Sequence, residues 1–247
     1  MDNKYIGMLS FNSHGTPMKI IEYFNKKNVI IEFQDEHRFR KKVGLGNFRR
    51  GNVSNPFDRT ILDCAYIGNG DYCKEKHTSC YIYWHNMLIR CFSEKYKTKY
   101  PTYKNVTVCN EWLNFQNFAK WYYQNFYCID GERMELDKDI LQKGNKIYSP
   151  EKCVFIPRRI NSLLINNKQK RGKYPIGVDF ARGKYRARYN DLGNSIFVGD
   201  YDNPEDAFLA YKQYKEKYIK KVADSYKHLI PAKLYNALYD FKIERND

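Results

Sequence analysis

The run Gly183-Lys184-Tyr185-Arg186-Ala187-Arg188-Tyr189 constrains the fold more than any other stretch of the chain. Cation alternates with aromatic or small residue at every step, and a period of two belongs to a strand. As a strand it places Lys184, Arg186 and Arg188 on one face and Tyr185, Ala187 and Tyr189 on the other. The second face suits half-buried packing. The first is a row of positive charge at roughly 7 Å intervals, the shape of a sheet that lies against a polyanion.

The neighbouring sequence completes a module around this strand. Strands are predicted at about 175–180, 184–190 and 195–200, separated by the turn signals Arg182-Gly183 and Leu192-Gly193-Asn194. Asn203 then reads as an N-cap, with Pro204 at the first helical position and Glu205 and Asp206 in the first turn. The helix to about Ser225 carries Ala207, Phe208, Tyr211, Tyr214, Tyr218 and Val222 on one stripe, which can cover the tyrosine face of the sheet. Lys212, Lys215, Lys217 and Lys220 are expected on its solvated face, and Pro231 to Phe241 forms a last short helix.

Whole-chain totals agree with an anionic partner. The 247 residues carry a formal net charge of +15, and 23 Tyr and 15 Phe make the chain too aromatic for a disordered tail. A basic protein of another kind shows similar totals, so the placement of the charges matters more than their sum. No apolar run is long enough to span a membrane, and the polar N-terminus does not read as a secretory signal. The seven cysteines are odd in number and contain no Cys-x-x-Cys pair. They predict reduced cytosolic thiols; the spacing of Cys64, Cys73, His77 and Cys80 fits no common zinc pattern, so zinc is not expected.

Upstream, residues 18–33 read as two strands around a turn at Asn25 to Asn28. From His37 to Phe57 there is no acidic residue, while Arg38, Arg40, Lys41, Lys42, Arg49 and Arg50 are present. Punctuated by Gly44, Gly46 and Gly51, that stretch reads as a basic loop or hairpin on a small β module, either merely solvated or in contact with phosphate. The middle of the chain predicts amphipathic helices over Ser79 to Phe92 and Asn110 to about Asn125, with their aromatics in the core. Short strands at Leu136 to Ile140 and Cys153 to Ile156 follow, and Pro157 is expected to open a helix through Leu164. Residues 166–172 read as a basic linker, so the chain divides into a basic β module (1–56), a central domain (57–165) and a C-terminal domain (173–247).

Three strands followed by one long amphipathic helix, with the YPIGV and GKYRARY segments, resemble the APETALA2-type DNA-binding domain. The resemblance spans about Lys173 to Asp224. It implies double-stranded DNA as partner, with the sheet in the major groove. Lys184, Arg186 and Arg188 become the readers, Arg182 sits at the turn, and Lys173, Lys170 and Arg171 lie at the approach. The segments WHNMLIRC (84–91), YKNVTVCNEWLNFQNFAKW (103–121) and LDKDILQKGNKIYSPEKCVFIP (136–157) resemble the divergent HNH-endonuclease-like region of phage homing-endonuclease-type proteins. The expected fold class is therefore α+β: a small N-terminal β module, a central HNH-like ββα region with helices, and a three-stranded antiparallel sheet packed on a long helix. The cytoplasm of a bacterial host cell is the expected location.

The HNH resemblance implies a hydrolase in which a histidine acts as general base and a divalent cation stabilises the leaving oxygen. Here the motif reads Asp137-Lys138-Asp139, and the expected histidine is absent. An ordinary lysine is a poor base at neutral pH. Asp137 and Asp139, with Asn145 from the loop, can supply oxygen ligands to Mg2+ or Mn2+, provided the strand is regular there; His85 is the candidate substitute base. Two other readings stay open. One is a DNA-binding regulator without catalysis, and the other a phage antagonist that binds a host defence protein complex.

Overall fold

The structure is a computed structural model that describes residues 3–164, 173–191 and 194–245. It forms two compact units, Met1–Tyr123 and Gln124–Asp247. The fold is mixed α and β, and among the described residues no helix is long and apolar enough to cross a membrane.

The first unit begins with an antiparallel meander of β1 (Leu9–Phe11), β2 (Pro17–Asn25), β3 (Asn28–Phe33) and β4 (Arg40–Val43). Along β3 buried and half-buried residues alternate, so Val29, Ile31 and Phe33 enter the core while Ile30 and Glu32 face outward. The acid-free stretch, expected as a basic loop or hairpin, contributes β4, which pairs with β3, and a short helix α1 (Leu45–Arg49) that buries Leu45 and Phe48. Helices α2 (Thr78–Phe92), α3 (Glu94–Lys99) and α4 (Phe115–Asn125) complete the α part. Trp84, Met87 and Leu88 are buried, as are Trp112, Phe115 and Phe118, so these aromatics are core.

In the second unit β6 (Met134–Asp137) pairs antiparallel with β8 (Val154–Pro157), and α5 (Arg158–Leu164) follows. The first of these strands stops at Asp137 rather than continuing to Ile140. The reason is local: the Asp137 carboxylate accepts the N–H groups of Asp139 (2.9 Å) and Ile140 (2.7 Å), which turns the chain. Pro157 pairs with Met134 as the last strand residue, so α5 opens one residue later than expected. Two further strands are only two residues long, β5 (Thr107–Val108) in the first unit and β7 (Ile147–Tyr148) in the second.

The C-terminal sheet has the order β11-β10-β9, from β9 (Val178–Ala181), β10 (Lys184–Asp191) and β11 (Asn194–Tyr201). Arg182 (φ 54°) and Gly183 (φ 77°) form the two-residue loop between β9 and β10, both left-handed, a twist that suits a tight hairpin. Helix α6 (Pro204–Ser225) starts as expected, with the Asn203 side chain accepting the Asp206 N–H. It packs Ala207, Phe208, Tyr211, Ile219 and Val222 towards Ala187 and Tyr189, and α7 (Ala232–Tyr239) adds Leu234 and Leu238. Ile140, Val154, Ile156, Ile160 and Leu163 belong to the same cluster, so the ββα hairpin and the sheet module share one core.

One expectation fails on α6. Lys215 is not on the solvated face; it is 5% exposed, with its ammonium 4.5 Å from the centre of the Tyr189 ring. Tyr214, placed on the inward stripe, is 43% exposed instead. The aromatic sheet surface takes the lysine stem and offers its head the π face of Tyr189.

Candidate nucleic-acid interface

The outward face of the C-terminal sheet is built by strand alternation on β10. Ala187 and Tyr189 are buried against α6, so Lys184, Arg186 and Arg188 project to the opposite side. The register shift between Ala187 and Arg188 leaves Val198 of β11 as the extra residue, so the alternation of β10 is undisturbed.

The row is not bare positive charge. Counting outward from the Arg182-Gly183 loop, Asp179 pairs with Arg186, and its carboxylate accepts the Nε–H of both Arg186 and Arg188 at 2.7 Å each. Burial pushes the Asp179 carboxyl up, but these two hydrogen bonds and charges outweigh it and hold the group below the usual range. Lys184 pairs with Asp202, whose hydrogen bond and charge raise the lysine's pKa. Asp200 is the β11 partner of Arg186, and Phe197, 60% exposed, is the partner of Arg188. Asp179, Asp200, Asp202 and Phe197 all escaped the sequence reading, although hairpin counting from Arg182-Gly183 points to Asp179.

The consequence is orientation. Each guanidinium spends its Nε–H on Asp179, and neither has a further hydrogen bond among the described residues. Their terminal Nη groups are left as two neighbouring donor edges beside one carboxylate. Of the other expected DNA contacts, Arg182 is exposed at the hairpin tip and Lys173 is exposed with its ammonium over the Tyr174 ring at 5.4 Å. Lys170 and Arg171, and the linker 166–172, lie outside the described residues. So do Leu192 and Gly193 of the second turn.

No family model, curated protein or solved structure matches the chain.

The Asp137–Asn145 loop holds its members differently from an ion site. Asp137 spends Oδ1 on two backbone N–H groups; burial and then the Asp139 charge push its carboxyl up, and those N–H bonds oppose them. Lys138 is buried, with its ammonium 3.2 Å from Asp139 Oδ2 and 6.0 Å from the Tyr148 ring centre. Asn145 donates to the carbonyls of Lys138 (2.6 Å) and Ile147 (2.7 Å) and accepts the Ile147 N–H at 3.2 Å. A buried ammonium beside the carboxylates already supplies the positive charge a cation would bring, and the Asn145 amide is committed to backbone. These residues do not fit a Mg2+ or Mn2+ centre as arranged. Among the described residues no group of three or more His, Cys, Asp or Glu is disposed to hold a metal. His85 lies on α2 in the first unit, its ring stacked on Tyr81 with centroids 5.7 Å apart.

Proposed function

We propose that the chain is a double-stranded DNA-binding protein that docks through the exposed face of β9, β10 and β11. One observation carries this reading: Arg186 and Arg188 are held by a single carboxylate, Asp179, with their Nη edges outward. Preorganised guanidinium forks can distinguish guanine in the major groove, and Phe197 beside them offers an apolar surface for a thymine methyl group. Lys184 and Arg182 would contact phosphates and set the register. Asp179, Asp200 and Asp202 limit the net charge of the face, which supports selective base contacts over indiscriminate attraction. The decisive experiment is selection of sites from a random duplex pool by the full chain. A defined motif lost in Arg186→Ala with Arg188→Ala is expected; recovery of no motif, or of one unchanged in the double variant, would refute the sheet as reader.

Metal-dependent strand cleavage is the second reading, favoured by the order β6, β8, α5, which is the strand–strand–helix order of an HNH-like hairpin. It requires Asp137, Asp139 and Asn145 to leave their present partners. A plasmid-nicking assay with Mg2+ or Mn2+ tests it. Cleavage abolished by Asp137→Ala and by Asp139→Ala would support an endonuclease, and intact supercoiled DNA under both metals would leave DNA binding alone.

A further inference from the structure

A second surface, on the N-terminal meander, has the chemistry that the C-terminal face tempers with carboxylates. An open cavity of about 600 Å3 lies along β4 and the segment 52–54, lined by Lys27, Lys41, Lys42, Asn47, Asn52 and Ser54 among others. No acidic residue lines it. Among the described residues none of the three lysines has a carboxylate within ion-pair distance. Glu32, the one acid on β3, is turned to Arg40 at 2.9 Å and Arg38 at 3.6 Å. We propose that this groove binds the phosphodiester backbone of nucleic acid, as a contact separate from the C-terminal sheet.

The groove is ordered in advance. Lys41 Nζ donates to the Ser54 carbonyl (3.2 Å) and hydroxyl (3.0 Å), which fixes the ammonium at the rim. The β2–β3 hairpin tip is tied down twice, by the Lys27 N–H on Asn25 Oδ1 (2.9 Å) and the Leu45 N–H on the Lys26 carbonyl (3.0 Å). Lys26 and Lys27 therefore hang from anchored backbone. Arg50 donates to Asn47 Oδ1 at 2.8 Å and so holds one of the polar side chains that line the groove.

Ammonium groups are point charges that meet phosphate oxygens without demanding one orientation, and the Asn and Ser side chains add neutral polar partners. That combination suits a repeating phosphate strand more than the planar carboxylates of an acidic peptide, for which paired guanidiniums are the better match. The choice of nucleic acid as the polyanion rests on the reading proposed above. The two surfaces then divide the work: the sheet face selects sequence, and the groove supplies affinity that is independent of sequence and sensitive to salt.

The test uses the full chain on a fluorescent duplex across a salt series, with three variants. The groove variant is Lys27→Gln with Lys41→Gln and Lys42→Gln, its charge-keeping control has Arg at the same positions, and the sheet variant is Arg186→Ala with Arg188→Ala. Three lost phosphate contacts lower the log–log salt slope by about 2.7, so a four-fold rise in salt weakens the parent roughly 40-fold more than the groove variant. The Arg control is expected to keep the parent slope. An unchanged slope in a groove variant that melts like the parent overturns the groove and leaves the sheet reading intact. A lowered slope in the groove variant, with a sheet variant that keeps the parent's preference among duplex sequences, supports the groove and overturns the sheet reading. Variant-sensitive binding of poly-glutamate or phosphatidylserine vesicles, without a change on duplex, also overturns the proposal by assigning the groove another polyanion.

Discussion

Arg186 on β10 donates its Nε–H to Asp179 on β9 at 2.7 Å, across a hairpin whose loop is only two residues long. The same carboxylate takes Arg188, so one acid sets the direction of two guanidiniums. Lysine cannot reproduce that fork, because it has a single terminal nitrogen. Arg186→Lys should cost about 1 to 3 kcal/mol of discrimination at one base position while changing the salt slope little. Competition between the selected site and a single-base variant reads this directly; equal loss on all duplexes would mean Arg186 contacts only phosphate.

Asp179→Asn should act in the opposite sense on the two components of binding. Removing a negative charge from the face strengthens sequence-independent attraction, while loosening both guanidiniums weakens selection. The ratio of affinities for selected and scrambled duplexes is expected to fall. A ratio that rises would mean that Asp179 hinders base contact.

Gly177 has φ 75°, and a methyl group there would lie 2.2 Å from the Tyr211 ring of α6. Its carbonyl also accepts the Arg188 N–H at 2.9 Å, beside the register shift. Gly177→Ala combines left-handed strain with overpacking and should destabilise the second unit by about 2 to 4 kcal/mol. Urea unfolding measures it, and a loss under 1 kcal/mol would mean that α6 moves aside easily.

Lys215 gives a pH dependence with a definite sign. Burial pulls its pKa down to about 8, against an upward pull from Asp191, while an unfolded lysine stays protonated to about 10.4. Between those values the unfolded chain holds more protons, so stability rises with pH in that window. Asp191 faces this site with Oδ2 accepting the Tyr218 hydroxyl at 2.6 Å. Lys215→Met should flatten the rise between pH 8 and 10 and add roughly 1 to 3 kcal/mol at pH 7, the Tyr189 ring contact offsetting part of the burial cost. Parallel unfolding curves for parent and variant over that range would contradict this.

Thiol reactivity should separate the cysteines by environment. Cys128 is exposed, whereas Cys80, Cys91 and Cys153 are buried, and burial pushes the Cys80 thiol up to about 12. At pH 7.5 an alkylating reagent is expected to modify Cys128 first and leave Cys80 intact until unfolding. Peptide mass mapping over time decides it.

Much of the architecture was legible in order along the chain. The Gly183–Tyr189 alternation specified a strand with one basic and one buried face, and Asn203-Pro204 specified where α6 begins. These signals are local, because strand period and helix capping depend on residues a few positions apart. Legibility ended where a side chain meets something distant. Lys215 read as solvent-facing because helical spacing cannot report a tyrosine on the strand beneath it. The Asp137 turn replaced a strand because one carboxylate found two N–H groups, and Lys138 became a buried counter-charge. The Lys184–Arg188 row also has a different character in the fold than in the sequence. Sequence alone determined that Lys184, Arg186 and Arg188 share a face; tertiary structure decided that this face carries its own carboxylates. It did so because sheet pairing brings Asp179 and Asp200 to either side of Arg186, and only the folded register sets which charges are neighbours.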